Sequence, residues 1–266
     1  MERHGATRPD AKAASRQVAR AAVIGILAGG LSGLFGVGGG ILIVPGLVLF
    51  LGMAQRTAHA TSLAAIVPIA ASGVAGYALE GSVDWAAAAW LAAGSAAGAV
   101  IGAGALQRLS QPTLRRAFAG LLLLSAIALL LHATEGAGRG DLDPALVTGL
   151  LAAGVFSGIL AGLLGVGGGI VIVPALVLLF AIPNAVAKGI SLLVIIPTAV
   201  AGTAYNVRKK TADLPTAAWV GLGGVVAAFA ASLASVRLDP RLSSILFAVL
   251  LLTVAGRMLA RRADRT

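Results

Sequence analysis

The chain has 266 residues, of which 58% are hydrophobic and only 11% charged, and its mean hydropathy is +0.96. Soluble domains carry roughly 25% charged residues, so the composition excludes an ordinary soluble globule and makes the lipid bilayer the expected surroundings. The net charge of +10 has the sign of a nucleic-acid binder, but the basic residues cluster beside apolar runs, where Lys and Arg report membrane orientation. No nucleic-acid partner is expected. Cysteine is absent, so there is no disulfide framework and no redox clue to compartment.

In chain order, residues 1–17 are polar and carry Arg3, Arg8, Lys12 and Arg16. The apolar run from Val18 leads straight into a glycine-rich phrase, with no separate mature domain behind it, so the start reads as a retained cytoplasmic tail rather than a cleaved signal. Apolar segments follow at 21–35, 41–53, 60–79, 85–106 and 117–131, then at 145–164, 170–182, 189–206, 215–235 and 244–260. A helical span needs about 20 apolar residues. The second segment of each set has only 13. Between each second segment and its predecessor lies GVGGG, and because each Gly costs roughly 1 kcal/mol against Ala in a helix interior, the phrase marks non-helical backbone.

That phrase occurs twice. GLFGVGGGILIVP at 33–45 and GLLGVGGGIVIVP at 162–174 agree at 11 of 13 positions, 129 residues apart. The same offset pairs Pro45 with Pro174, Ser62 with Ser191, Pro68 with Pro197, Gly73 with Gly202, Asp84 with Asp213, Trp90 with Trp219 and Phe118 with Phe247. About half the chain is therefore a duplicate of the other half: a tail at 1–17, a first transmembrane repeat at 18–134, an external linker at 135–144, a second repeat at 145–260 and a tail at 261–266.

With the N-terminal tail inside and an odd number of crossings per repeat, Arg56, Arg108, Arg115, Arg116, the Arg208–Lys210 run and the C-terminal arginines all fall inside, as the positive-inside rule asks. Glu80, Asp84 and the 135–143 linker fall outside. Only the Arg237–Arg241 connection lies outside against the rule, with Asp239 within it. Odd-numbered repeats insert upside down relative to each other. The expected fold is thus an all-α polytopic membrane protein of two inverted-topology repeats, each of about five helical segments with short segments broken at glycine, a plan common among secondary transporters. Gly94, Gly98 and Gly102, matched by Gly223, Ala227 and Ala231, form small-xxx-small stripes that suit close packing within the chain or the seam of a homodimer.

The glycine phrase does not fit a dinucleotide fingerprint, because the third glycine of G-x-G-x-x-G would fall on Ile41 and no strand–helix alternation surrounds it. It remains either a tight packing turn or a nest of backbone N–H groups that binds an anion. The third segments carry His59 three residues before Ser62 and Lys188 three before Ser191, a spacing that puts each pair on one helix face. Each pair supplies a cation and a hydroxyl suited to a small oxyanion, unless His59 and Lys188 only snorkel at helix ends. The candidate substrate-binding set is Gly36, Gly38, Gly39, Gly40, His59 and Ser62 with Gly165, Gly167, Gly168, Gly169, Lys188 and Ser191. Pro68 and Pro197, further along, each remove an intrahelical hydrogen bond and are candidate hinges.

These residues resemble the TauE/SafE family of sulfite and organosulfonate exporters, also described as probable membrane transporter proteins. The resemblance runs over roughly residues 20–260 and rests on the doubled G-x-G-G-G-x-x-x-x-P phrase, the Ser62 and Ser191 stretches, and Asp84 and Asp213 closing the third segments. It implies residence in a bacterial plasma membrane and movement of a small anionic solute such as sulfite, a sulfonate or a similar oxyanion. An enzyme is the rival class. The apolar runs contain no Asp, Glu or Cys, and His4, His59 and His132 are far apart, so no catalytic constellation, metal site or cofactor is expected. A non-transporting membrane subunit is the third reading.

Overall fold

The computed structural model describes residues 11–105, 119–120, 122–127, 129–130, 143–164 and 167–260. Among them there is no strand. The helices are α1 (Ala11–Phe35), α2 (Gly40–Leu51), α3 (Gln55–Leu79), α4 (Trp85–Ala105), α5 (Pro144–Leu164), α6 (Gly169–Phe180), α7 (Asn184–Arg208), α8 (Leu214–Arg237) and α9 (Pro240–Ala260). The described residues between 119 and 130 are also helical. Five helices are long and apolar enough to cross a membrane, at 15–35, 55–79, 144–161, 184–208 and 214–237.

The duplication extends to the backbone. α2 and α6, and likewise α3 and α7, begin and end at positions 129 apart. Gly39 and Gly168 precede the short helices with φ 73 and 76, a left-handed conformation that glycine adopts without the Cβ penalty. Asp84 and Asp213 open the fourth helices rather than closing the third: their Oδ1 atoms accept from Ala87 N at 3.0 Å and Thr216 N at 3.1 Å, the usual N-cap arrangement. α1 starts at Ala11, so the last part of the expected N-terminal tail is already helical. The 135–142 stretch of the expected linker and the C-terminal tail lie outside the described residues.

α1 and α2 form a hairpin. A Cβ on Gly39 would lie 2.8 Å from Ala28 O and one on Gly46 would lie 3.0 Å from Ile24 Cγ2; Arg20 Nη1 donates to Phe50 O at 3.2 Å. Rising numbers in α2 meet falling numbers in α1, so the helices are antiparallel neighbours rather than one interrupted rod. With 12 residues each, α2 and α6 measure about 18 Å, well short of the roughly 30 Å of hydrocarbon.

Contacts between the halves exchange symmetrically. A Cβ on Gly73 of α3 would meet Leu192 Cδ1 of α7 at 2.7 Å, and one on Gly202 of α7 would meet Leu63 Cδ1 of α3 at 2.9 Å; each contact is the other with the halves swapped. Equivalent helices α3 and α7 therefore run antiparallel, which requires the pseudo-two-fold axis to lie perpendicular to them. The same exchange governs α1 on α8 and α5 on α4. Gly25 backs onto the Val220 carbonyl and Gly154 onto the Leu91 carbonyl; Gly29 backs onto Gly224 and Gly158 onto Ser95. A Cβ at any of these four would overlap backbone, so glycine is what lets the helices touch, the main source of helix association in lipid. Gly94 and Gly98 face α5 within the chain, and Gly223 faces Ala22 of α1.

Two cores result, and neither is a sequence repeat. One joins α1, α2 and α3 to α8 of the other half through residues such as Ile24, Leu47, Ile69 and Val220, with Leu192 and Ile195 of α7 inserted. The other joins α6 and α7 to α4 through Leu176, Ile190 and Leu91, and takes in Leu122, Leu129 and Phe247. Each half lends its fourth helix to its twin.

Candidate functional site

The two glycine phrases meet at the middle of the long helices. A Cβ on Gly169 would lie 2.7 Å from Gly36 O and 2.9 Å from Val37 Cα, and one on Gly38 would touch Ile195 Cδ1 at 3.1 Å and Ile66 Cγ2 at 3.4 Å. Ile66 and Ile195 are each the twelfth residue of a 25-residue helix. Gly36, Gly38, Gly39, Gly167 and Gly168 all have φ between 71 and 84, and Gly36, Gly38, Gly39, Gly40, Gly167, Gly168 and Gly169 are buried. Gly165 lies outside the described residues.

A helix that stops at mid-depth leaves carbonyls that water cannot satisfy. At the end of α1 side chains from other helices supply the donors. Tyr77 Oη donates to Gly33 O at 2.6 Å, Ser235 Oγ to Leu34 O at 2.9 Å and Ser191 Oγ to Gly36 O at 2.7 Å, while Gly36 N closes on Ser32 O at 2.8 Å. The starts of α2 and α6 contrast with this: neither has a side-chain cap. Two helix N-termini, each with N–H groups that no intrahelical carbonyl reaches and a positive dipole end, thus come together inside the protein.

The paired cations and serines divide unequally. α3 begins at Gln55 and α7 at Asn184, four residues before His59 and Lys188, so both basic residues sit in the second turn and not at helix ends as the apolar boundaries suggested. Lys188 is 1% exposed, which rules out snorkelling and an open vestibule at this position. Its Nζ donates to Ser235 Oγ at 2.8 Å and Ser243 Oγ at 2.5 Å, and its Cα packs on Gly36, where a Cβ would come within 2.7 Å. No carboxylate among the described residues pairs with it. His59 is half-buried and its Nδ1 is enclosed without a hydrogen-bond partner. Ser191 is bonded across to the first phrase, whereas Ser62, equally buried, has an Oγ without a partner.

Four residues of this region escaped the sequence reading: Tyr77, Ser235, Ser243 and Thr61, whose Oγ1 accepts from Asp213 N at 3.0 Å. A signal for three of them exists in the duplication itself. At the 129-residue offset Tyr77 faces Asn206, Ser235 faces Leu106 and Ser243 faces Leu114, so each is polar where its twin differs.

The connections at one end of the bundle are also joined. Arg237 Nη2 lies 3.3 Å from Glu80 Oε1, and Asp239 Oδ1 accepts from Leu242 N at 2.9 Å to cap α9. The basic connection that broke the orientation rule is thus paired with an acidic residue placed on the same side. Among the described residues no group of three His, Cys, Asp or Glu could hold a metal ion. The described glycines of both turns are buried. A surface groove of ≈ 510 Å³ between the start of α4 and the α6–α7 connection, lined by Val83, Trp85 and Pro183 among others, includes none of the phrase residues.

Comparison with known proteins finds membrane transporters. The chain is 31% identical over 205 residues to the probable membrane transporter protein YunE of Bacillus subtilis (strain 168), covering 68% of this chain and 75% of that protein. It is 37% identical over 111 residues to the probable membrane transporter protein YdhB of the same organism, covering 40% of this chain and 45% of that one. Residues 2–129 and 150–266 match the family described as Sulfite exporter TauE/SafE. A multi-pass helical chain with a doubled glycine phrase, matched over nearly its whole length, belongs to the TauE/SafE family of membrane transporters.

Proposed function

We propose that the protein is a secondary transporter that moves a small oxyanion, such as sulfite or a sulfonate, out of a bacterial cell by alternating access between its two repeats. The observation that carries this reading is the meeting of two uncapped helix N-termini, those of α2 and α6, inside the protein beside the buried Lys188. Anions bind at such ends because free N–H groups and the dipole both favour negative charge, and broken helices of this kind form substrate sites at the midplane of other transporters. The pseudo-two-fold perpendicular to α3 and α7 supports the inverted arrangement: with these helices along the membrane normal, the axis lies in the membrane plane. An entry on one side and an exit on the other then become equivalent structures.

The enclosed state has ties at both ends. Lys188, Ser235 and Ser243 join α7, α8 and α9 near one end, and Thr61 ties α3 to the start of α8 near the other. Alternation opens one set while the other holds, with bending at Pro68 and Pro197, where α3 and α7 lack an intrahelical bond. Purified protein in liposomes should take up radiolabelled sulfite or a sulfonate down its gradient, and protein-free liposomes should not. No flux of any small oxyanion would leave the non-transporting subunit as the reading. Both termini are placed in the cytoplasm, so cysteines introduced singly at Gly138 and Lys210 should label from outside and inside intact cells respectively; labelling from one side alone refutes the inverted topology.

A further inference from the structure

Lys188 is the one described lysine that the fold encloses. A buried ammonium without a counter-charge is costly, and among the described residues the partners of Nζ are two hydroxyls, Ser235 Oγ at 2.8 Å and Ser243 Oγ at 2.5 Å. An ammonium has three donors, and two are used. Ser235 Oγ in turn donates to Leu34 O at the C-terminal end of α1, a helix end that carries about half a negative charge. The architecture does not demand this cluster, because the equivalent positions of the other half are His59, Leu106 and Leu114. Beside it, Asn184 lies one turn before Lys188 on α7, donates through Nδ2 to Ser244 Oγ at 3.0 Å and keeps a buried Oδ1 without a partner. This half alone carries a buried lysine amine, two hydroxyls and an amide together.

We propose that Lys188, Ser235 and Ser243 form a specific anion subsite, with Asn184 at its edge, in which a singly charged oxyanion supplies the counter-charge that the ammonium lacks. The inference rests on the anion-transport reading and adds the residues that neutralise the charge, on one half only. One ammonium matches one negative charge, so a monoanion leaves the site neutral and a dianion leaves it in excess. The hydroxyls now bonded to Nζ then become co-ligands, each turning its proton toward the bound oxygens. Lys188 also backs onto Gly36, so occupancy bears directly on the first glycine turn.

The test uses purified full-length protein in detergent, with methanesulfonate as a redox-inert monoanion and sulfate as a dianion. Ligand that binds only the folded state raises Tm with concentration. Wild type should show such a rise with methanesulfonate and a smaller one with sulfate. Lys188→Met removes the buried amine at similar volume, so without ligand its Tm should rise by about 2–4 °C, while its response to methanesulfonate disappears. Ser243→Ala should weaken the apparent affinity about tenfold, the loss of one hydrogen bond to a charged group, and Lys188→Arg should retain part of the response. A lysine with a purely structural role gives the opposite pattern, a Tm that falls in Lys188→Met. An unchanged methanesulfonate response in Lys188→Met and in Ser243→Ala overturns the subsite, even if Lys188→Met folds poorly, because Ser243→Ala then decides alone. If wild-type liposomes move a radiolabelled sulfonate and both variants move it equally well, the subsite falls and the transport reading stands; if wild type moves none, the transport reading itself falls.

Discussion

The two halves of this chain share one backbone and differ in how they treat the same polar positions. In the second half Ser191 is hydrogen-bonded to Gly36 O and Lys188 is enclosed among serines. In the first half Ser62 is buried without a partner and His59 is only half-enclosed. Tyr77 closes the end of α1 through Gly33 O, while its counterpart Asn206 accepts from Thr211 Oγ1 at 3.3 Å in its own loop. Duplication preserved what the lipid environment enforces, namely close helix contacts and the left-handed turns, and relaxed the side chains that set charge.

The strongest way to break this comparison is at the shared contacts, where the halves should respond alike. Gly25→Leu and Gly154→Leu each force a side chain into the backbone of a partner helix, Val220 O in one case and Leu91 O in the other. Each should cost about 3 kcal/mol or more, and the two should agree within error in thermal unfolding. A large inequality between them would mean that the two-fold packing is not real.

The glycine turns should separate slightly. Valine at Gly39 or Gly168 must take a left-handed φ, a strain of about 1–3 kcal/mol, and both variants should lose transport while remaining extractable. The Gly39 site is tighter: an added Cβ meets a backbone oxygen at 2.8 Å there, against a methyl at 3.2 Å for Gly168. Gly39→Val should therefore be the less stable of the two. Transport that survives in both variants would reduce the phrases to packing turns.

Serine to alanine probes the polar difference directly. Ser191→Ala strands a buried carbonyl and should lose about 1–2 kcal/mol. Ser62→Ala removes a hydroxyl that has no partner and should be neutral or slightly stabilising. Equal losses would show that Ser62 is bonded in solution after all, and the asymmetry would vanish.

The smallest effect is expected at the C-caps of the short helices. Gly52 has φ 67 and its counterpart Ala181 has φ 50, and left-handed backbone costs a residue with a Cβ about 1–2 kcal/mol. Nothing lies within 4 Å of a Cβ on Gly52. Gly52→Ala should accordingly destabilise by about 1 kcal/mol and Ala181→Gly should stabilise by a similar amount, a pair of opposite shifts in Tm that a tertiary explanation of the turn would not produce.

Much of this architecture is legible in the residues alone. A fixed offset of 129 reveals the duplication, three glycines reveal the break, and long apolar runs reveal the helices that can cross a membrane. These are local or additive signals: backbone propensity, hydropathy and charge next to a span act over a few residues each. The third helices began five residues earlier than hydropathy placed them, because Gln55, Arg56 and Asn184 are helical but polar.

What only the tertiary structure decided is who faces whom. In a soluble helix the apolar stripe marks the buried face, but in lipid both faces are apolar and the stripe disappears. Hydropathy therefore could not show that each half lends its fourth helix to the other, nor that α2 folds back against α1. Nor could spacing show that Lys188 is sealed in while His59 is not, since the serines that enclose Lys188 come from α8 and α9. Enclosure of a charge depends on atoms far away in the chain, and only the packed helices bring them to it.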